Sequence, residues 1–276
     1  EYEDILENRA TMAKVLIKEL QSYKKQYAVP RKTLIDNLEE AVVEEKKIEE
    51  MDVVFLMDRF GYAKTVDVSV YERNKEAADT ENRYILTCKN TDKICIFTNK
   101  GQMHQVKMEK VLDLPYGKFR DKGIPIDNLS NYDSSEENFI YIINLGAIIH
   151  SRLLFGTKTA MLKMVDGSEF DVAKRTTAST KLNEDDELLI VHAMTGEETV
   201  VMQSEKEMFL RIEASTIPEK KKGAVGVRGM KLNAGDALSN IYVLDGENEQ
   251  TVEVKGKEVV LNRLRVGNRD TKGTKR

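Results

Sequence analysis

The side chains in this sequence best placed to do chemistry are its lysines and arginines, which could bind the phosphates of a polyanion. The 43 Lys and Arg residues are outnumbered by 47 Asp and Glu, so the formal net charge is -4. Only an uneven distribution of charge would therefore produce a cationic surface. Residues 220–232 hold five cations and no acid, and residues 255–276 hold eight cations and two acids. Acids cluster elsewhere, notably at 184–187, which predicts one cationic edge and an acidic remainder.

Other kinds of chemistry find little support in the residue spacing. His104, His150 and His192 are too scattered to indicate a metal site or a catalytic triad. Cys88 and Cys95 fit no metal-binding or redox motif, and they are expected to be packed thiols of a reduced cytosolic protein. No apolar run approaches the roughly 18 residues of a membrane helix. We therefore predict no catalytic residue and no metal site.

The elements that must position the cations are β-hairpins of one design. In residues 94–106, apolar and polar residues roughly alternate on both sides of a Thr-Asn-Lys-Gly turn, where Gly101 is expected to have a positive φ. The same pattern occurs in four further segments, at 53–64, 160–170, 200–210 and 251–260. The sequence thus predicts five hairpins.

The segments between the hairpins also repeat. A loop that ends in a leucine leads into a new strand at Leu129, Leu182 and Leu232, so the spacings are 53 and 50 residues. A period near 50 residues with a few strands per unit is typical of radially repeated blades. One such unit cannot bury both faces of its sheet, so successive units must pack together in a propeller-like ring.

The first 27 residues differ from the rest. Apolar side chains recur there at three- and four-residue steps without Gly or Pro, and Pro30 ends the pattern. This predicts an amphipathic helix, and the lack of a capping signal at its start suggests a fragment of a longer polypeptide. The apolar positions are Leu6, Ala13, Leu16, Leu20, Tyr23 and Tyr27.

The repeat places many cations near hairpin ends and blade junctions, which form the edge of a ring. Contacts between such cations and phosphates position DNA without reading its bases, so we expect little sequence preference and a steep dependence on salt. The candidate DNA-binding residues are Lys64, Lys100, Lys118, Arg120, Lys122, Lys163, Arg175, Lys181, Lys220, Lys221, Lys222, Arg228, Lys231, Arg263 and Arg265. A rim that binds an acidic protein is the alternative. An enzyme is disfavoured, because no acid, base or metal-binding set converges.

Several motifs resemble a known family. Ile5-Leu6, Lys18-Glu19-Leu20, Tyr27 and the segment Pro30-Arg31-Lys32-Thr33-Leu34-Ile35 are similar to the end of the coiled-coil helix in the A subunits of bacterial type IIA topoisomerases. Residues 53–64, 97–101 and 122–129 resemble the first two blades of the C-terminal domain in those A subunits. Arg31-Lys32-Thr33 departs mildly from the family's Arg-Arg-Thr.

The resemblance implies an all-β fold, a five-bladed β-pinwheel preceded by an N-terminal α-helix, whose outer rim binds and bends double-stranded DNA. The expected domains are the helix end and linker at 1–36, the pinwheel at 37–266 and a flexible basic tail at 267–276. The parent complex would be a cytoplasmic, nucleoid-associated, ATP-dependent type II topoisomerase. It would use ATP and Mg²⁺, form an A-subunit homodimer and bind a B subunit that carries the ATPase. This fragment would hold no cofactor, no catalytic residue and no membrane contact.

One feature divides the family. Gyrase A subunits carry a glycine-rich basic box after the first blade hairpin, whereas residues 71–82 here contain no glycine and are not basic. Together with the count of five hairpins, this favours the A subunit of topoisomerase IV. The glycine-rich basic stretch at 222–229 keeps open the alternative of a gyrase wrapping domain with a degenerate box.

Overall fold

The computed structural model describes residues 2–30, 32–33, 49–108 and 119–276, and the chain separates into two compact units, Glu1–Lys47 and Ile48–Arg276. The predicted boundary after residue 36 and part of the Arg31-Lys32-Thr33 motif lie outside the described residues.

The described residues of the first unit form two helices where one was predicted. Helix α1 spans Tyr2–Glu7 and α2 spans Arg9–Tyr27. They are separated at Asn8, which has an extended backbone and caps α2. Its side-chain oxygen accepts a hydrogen bond from the Ala10 amide at 3.0 Å. The end of the helix before Pro30 is confirmed. No residue of α2 is buried.

The second unit consists of small antiparallel sheets. Sheet A contains β1 (Asp52–Asp58), β2 (Tyr62–Asp67), β3 (Asn82–Lys89) and β6 (Ile124–Pro125). Sheet B contains β4 (Lys93–Thr98), β5 (Gln102–Lys107), β7 (Phe139–Asn144) and β10 (Thr176–Ala178).

Two further sheets and a hairpin follow. Sheet C contains β8 (Arg152–Thr157), β9 (Met161–Asp166), β11 (Leu188–Met194) and β14 (Val227–Arg228). Sheet D contains β12 (Thr199–Ser204), β13 (Met208–Glu213), β15 (Leu238–Leu244) and β18 (Thr274–Lys275). A two-stranded hairpin is formed by β16 (Thr251–Val254) and β17 (Lys257–Val260).

Short helices connect these strands. Helices α3 (Val68–Arg73) and α4 (Lys75–Glu81) lie between β2 and β3, α5 spans Ile126–Leu129, and α6 spans Leu145–Ile148. Short 3₁₀ turns follow three hairpins, at Gly167–Phe170, Ala214–Thr216 and Leu261–Arg263.

Each four-stranded sheet is assembled in the same way. A hairpin forms its centre, a strand that lies between this hairpin and the next pairs with the hairpin's first strand, and a short strand from beyond the next hairpin pairs with the second. Neighbouring units therefore exchange strands, and the predicted all-β architecture of repeated units is confirmed. Four four-stranded sheets and one two-stranded hairpin occur among the described residues, so the count of five blades stays a prediction.

The sheets bury both faces, which explains the unbroken apolar run at 53–57. Val53, Phe55 and Met57 pack against sheet B, whereas Val54 and Leu56 pack against the helical pair α3–α4 around Ala78. Successive strand residues point to opposite faces, so a strand covered on both sides loses its polar positions. Equivalent cores join sheets B and C, sheets C and D, and sheet D and the last hairpin.

Two predictions about segments were wrong. The third hairpin is β8–β9, and residues 160–170 contain only its second strand and a 3₁₀ turn. The predicted flexible tail at 267–276 includes β18, where Thr274 pairs with Phe209 of sheet D. The positive φ of Gly101, at 70°, is confirmed, and Leu129, Leu182 and Leu232 each pack against a core cluster.

Candidate nucleic-acid interface

The cations of interest lie mainly on four equivalent segments that lead into the exchanged strands. We call them crossover A (119–125), crossover B (171–178), crossover C (218–228) and crossover D (264–275). They contain β6, β10, β14 and β18, each of which pairs with the second strand of an earlier hairpin. Because this topology repeats, the crossovers occupy the same edge of sheets A to D.

Glycine allows three crossovers to approach their sheets closely. A Cβ atom at Gly123, Gly226 or Gly273 would lie 2.5–2.6 Å from a carbonyl oxygen of β2, β9 or β13, respectively. Gly123 and Gly226 also have φ values of +85° and +106°, which side chains disfavour. The glycines of the basic stretch at 222–229 thus include one that the backbone path requires.

Lysines of the hairpin strands donate hydrogen bonds to the backbone carbonyls of two crossovers. Lys163 of β9 is 1% exposed, and its Nζ donates to the carbonyl oxygens of Lys221, Lys222 and Ala224 at 3.2, 2.8 and 2.7 Å. Lys64 of β2 donates in the same way to the carbonyl oxygens of Phe119 and Asp121, at 2.6 and 3.2 Å. The structure does not support a DNA contact by Lys163, since its ammonium group is buried and its three N–H donors have partners.

Burial also perturbs the acidity of these lysines. It lowers the pKa of Lys163 from 10.5 to about 8, while the carboxylate of Glu169 opposes the shift. Burial also lowers the pKa of Lys64, and Glu81, Asp121 and Asp58 oppose it.

Crossovers B and D are bound by a more varied set of side chains, which includes Lys93 of β4, whose Nζ donates to the Asp171 carboxylate at 3.1 Å. Gln105 donates to the carbonyl of Phe170, directly before crossover B, at 2.8 Å. Arg211 donates to the carbonyls of Leu264, the first residue of crossover D, and of Asn262 just before it. His104 is buried between Thr176 of crossover B, at 3.0 Å, and the carboxylate of Glu137, at 2.6 Å. This histidine has a structural role.

Most of the remaining predicted cations are exposed on or directly after the crossovers. Lys222 is half-buried, and its Nζ donates to the Glu169 carbonyl at 2.8 Å. The exposed residues are Arg120 and Lys122 of crossover A, Arg175 and Lys181 at crossover B, Lys220, Lys221, Arg228 and Lys231 at crossover C, and Arg265 of crossover D.

Two predicted cations are engaged by acids away from the exchanged strands. Lys100, in the β4–β5 turn, pairs with Glu187 at 2.9 Å, and Arg263 pairs with Glu249 at 3.3 Å. Lys158 pairs with Glu187 as well, and these hydrogen bonds, first from Lys158 and then from Lys100, lower the pKa of the Glu187 carboxyl to about 2. Lys118 lies outside the described residues.

The sequence reasoning missed three further cations on crossovers B and D. Lys174 of crossover B and Lys272 of crossover D are exposed, and Arg269 donates to the Arg228 carbonyl at 2.9 Å, which joins crossover D to crossover C. Lys174 could have been found by aligning with one another the segments that precede the repeated leucines Leu129, Leu182 and Leu232. The two others lie in the cationic stretch at 255–276, but that part of the chain was assigned to a flexible tail and not to the rim.

The remaining reactive side chains are dispersed. Cys88 and Cys95 are buried free thiols, and burial raises the pKa of each to about 12. Within the described residues, no three His, Cys, Asp or Glu side chains are grouped so as to hold a metal ion, and no described helix is long and apolar enough to span a membrane.

Comparison with known proteins places this geometry in context. A family model described as "DNA gyrase C-terminal domain, beta-propeller" matches residues 151–192 and 198–245, which cover most of the segments β8–β11 and β12–β15. The DNA gyrase A subunit of Lawsonia intracellularis is 27% identical over 99% of this chain and 35% of that protein. The DNA gyrase A subunit of Staphylococcus epidermidis is 28% identical over all of this chain and 32% of that protein.

A solved structure shows the same fold. The crystal structure of the C-terminal domain of DNA topoisomerase IV superposes with a TM-score of 0.71 at 21% identity, covering 82% of this chain and 73% of that one. Together, the family model, the relatives and the shared fold confirm that this chain resembles the C-terminal domain of bacterial type IIA topoisomerase A subunits, as its motifs predicted.

Proposed function

We propose that this chain binds duplex DNA along crossovers A to D and bends it, through phosphate contacts that do not read sequence. One observation carries the proposal: the same edge of four consecutive sheets bears exposed cations on segments that the repeat makes equivalent. Contacts of this kind orient a duplex, because every B-form sequence presents the same phosphates. The bend costs on the order of 1–6 kcal/mol, which several phosphate contacts together can offset.

The proposed setting is a larger enzyme. The chain spans about a third of the length of the curated relatives it matches, 35% and 32% of two gyrase A subunits. We propose that it serves an ATP-dependent type II topoisomerase by presenting DNA to a strand-passage core. The A-subunit dimer, ATP, Mg²⁺ and the ATPase-bearing B subunit belong to that core in the proposal, and the complex acts at the bacterial nucleoid.

Within this family we favour topoisomerase IV. The segment that would hold a glycine-rich basic box is the helical pair α3–α4, which contains four acids and two cations and covers one face of sheet A. Two of the three glycines at 222–229 have packing roles, since a Cβ would lie 2.6 Å from the Leu162 carbonyl oxygen at Gly226 and 2.5 Å from a Leu162 methyl carbon at Gly229. The alternative is a gyrase wrapping domain, and the naming of both relatives as gyrase A subunits supports it.

A titration of the chain against random duplex DNA tests binding. We expect an affinity that falls linearly on a log–log plot of salt, with a slope of about -0.9 for each phosphate neutralised. Exchange of Arg120 and Lys122 for Gln, together with Lys220 and Lys221, should weaken binding, whereas exchange of the exposed α2 residues Lys14 and Lys18 serves as the matched control. No binding at low salt, or equal loss in the control, would contradict the proposal and favour a protein-interaction role.

A second assay separates the two enzymes. The full-length protein with its ATPase partner should relax and decatenate DNA without introducing negative supercoils. Negative supercoiling would support the gyrase alternative.

A further inference from the structure

We propose that crossover C is the principal phosphate-binding element of this surface, and that Lys163 is a positioning residue that holds it in the DNA-binding conformation. The inference rests on the proposed function. It assigns different roles to cations that are close together in the fold. Lys163 is buried and positions the backbone of the loop, whereas Lys220 and Lys221 are exposed and contact phosphates.

The loop that carries these cations is folded around the ammonium group of Lys163. Its Nζ lies within 3.2 Å of three carbonyl oxygens, those of residues 221, 222 and 224. An ammonium group has three N–H donors and no acceptor, so three converging carbonyls use its whole capacity. The carbonyls in turn are directed inward, which fixes the backbone at residues 221–224, among which the Lys221 side chain is exposed. The neighbouring Lys220 amide donates to the Met164 carbonyl at 2.8 Å.

Glu169, in the 3₁₀ turn after β9, anchors the same loop a second time. Its Oε2 accepts from the Lys222 amide at 3.0 Å, and its carbonyl accepts from Lys222 Nζ at 2.8 Å. Its Oε1 lies 3.5 Å from Lys221 Nζ, but the Lys221 side chain remains 87% exposed. Lys222 is therefore committed to the scaffold, whereas Lys221 remains accessible to a phosphate.

The other crossovers are less suited to be the main contact. In crossover A, Arg120 and Lys122 line a groove of about 640 Å³ together with the acids Asp58, Glu81 and Asp121. These carboxylates line the same groove as the cations and reduce its positive potential. Crossover B has one pair of adjacent cations, Lys174 and Arg175. In crossover D the first two adjacent cations are its last residue, Lys275, and the following Arg276.

Crossover C instead has three consecutive cations followed by Arg228. Within the described part of the chain, Lys220 makes no ion pair, and the pair between Arg228 and Asp270 is long and exposed, at 3.5 Å. Exposed pairs of this kind contribute little and are readily exchanged. Crossover C thus has the longest run of consecutive cations on the shared edge, with Glu219 before it and Glu169 in contact with Lys221 and Lys222.

Salt-dependent binding of a random 30-base-pair duplex tests both parts. The double variant Lys220→Gln/Lys221→Gln should bind at least tenfold more weakly at low salt and reduce the magnitude of the slope by about 2, at about 0.9 per lost phosphate contact. The matched pair Arg120→Gln/Lys122→Gln should lose less. An equal or larger loss for the crossover A pair would overturn the assignment of crossover C.

Lys163→Met tests the positioning role. Under conditions in which circular dichroism shows it folded, it should reproduce the slope loss of the double variant, although its own ammonium group is buried. Combination of all three substitutions should then add no further loss, since the same contacts are removed only once. A wild-type slope for Lys163→Met, or a fully additive triple variant, would overturn the inference.

Two further measurements keep the outcome interpretable. Lys163→Arg retains a cation with several donors and should restore part of the slope, whereas a merely structural substitution would show no such rescue. It also replaces Lys163→Met if that variant does not fold. Failure of the wild-type chain to bind at low salt would refute the proposed function itself, which is distinct from failure of the positioning role.

Discussion

Replacement of Gly226 by Ala measures how much stability depends on the close approach between crossover C and β9. Gly226 has φ +106°, and a Cβ there would lie 2.6 Å from the Leu162 carbonyl oxygen and 3.1 Å from its carbonyl carbon. Both neighbours are backbone atoms of a central strand, so a rotamer change cannot relieve the overlap. The loop has to move away from sheet C.

The expected cost has two parts. A left-handed backbone costs a residue with a Cβ about 1–2 kcal/mol. Displacement of the loop weakens nearby hydrogen bonds, such as that from the Gly229 amide to the Ala160 carbonyl at 2.7 Å, each contributing about 1 kcal/mol. We therefore expect Gly226→Ala to destabilise the fold by about 2–4 kcal/mol.

Gly223 in the same loop provides the matched control. Its φ lies outside the left-handed range, and no heavy atom lies within 4 Å of its ideal Cβ. Alanine there should be neutral or stabilise the fold by about 0.4–1 kcal/mol, because it restricts the unfolded chain.

Urea unfolding followed by far-UV circular dichroism and tyrosine fluorescence measures both variants, since the chain has ten Tyr and no Trp. Gly226→Ala should shift the midpoint to lower urea, and Gly223→Ala should not. Equal midpoints for the two variants would refute the inferred role of close backbone approach.

Three further predictions concern the cores, the acidic turn and the thiols. Phe97 is fully buried against the rings of Phe155 and Phe170, so Phe97→Ala should cost about 3–5 kcal/mol in urea unfolding, and Phe97→Leu clearly less. The folded-state pKa of Glu187 is lowered from 4.5 to about 2, so its stabilising contribution is present above pH 4.5 and is lost as pH falls through about 2. Glu187→Gln should accordingly lower the urea midpoint at pH 7 but differ little from wild type near pH 2, and a constant difference across this range would contradict the assignment. Cys88 and Cys95, with pKa values of about 12, should resist a thiol reagent at pH 8 in the native protein and react in urea, whereas rapid native labelling would show that they are accessible.

The hairpins and their repetition could be predicted from the sequence because the signals are local. The turn at Thr98-Asn99-Lys100-Gly101 and the apolar run at 53–57 each specify a strand within a few residues. The leucines at 129, 182 and 232 then revealed the period, because equivalent residues occupy equivalent positions in successive units. The all-β repeated architecture followed from these patterns alone.

The roles of individual cations depended on contacts between distant parts of the chain. Lys163 and Lys220 have the same chemistry, yet Lys163 is enclosed by carbonyls from residues 58–61 positions further along, and Lys220 is exposed. Strand exchange brings these segments together, and no local pattern encodes the pairing. The same exchange places Thr274 beside Phe209 and converts the expected tail into a strand of sheet D. The sequence by itself thus determined the repeated units and the supply of cations, whereas only the tertiary structure decided which cations support the fold and which remain accessible to a phosphate, because burial depends on long-range pairing.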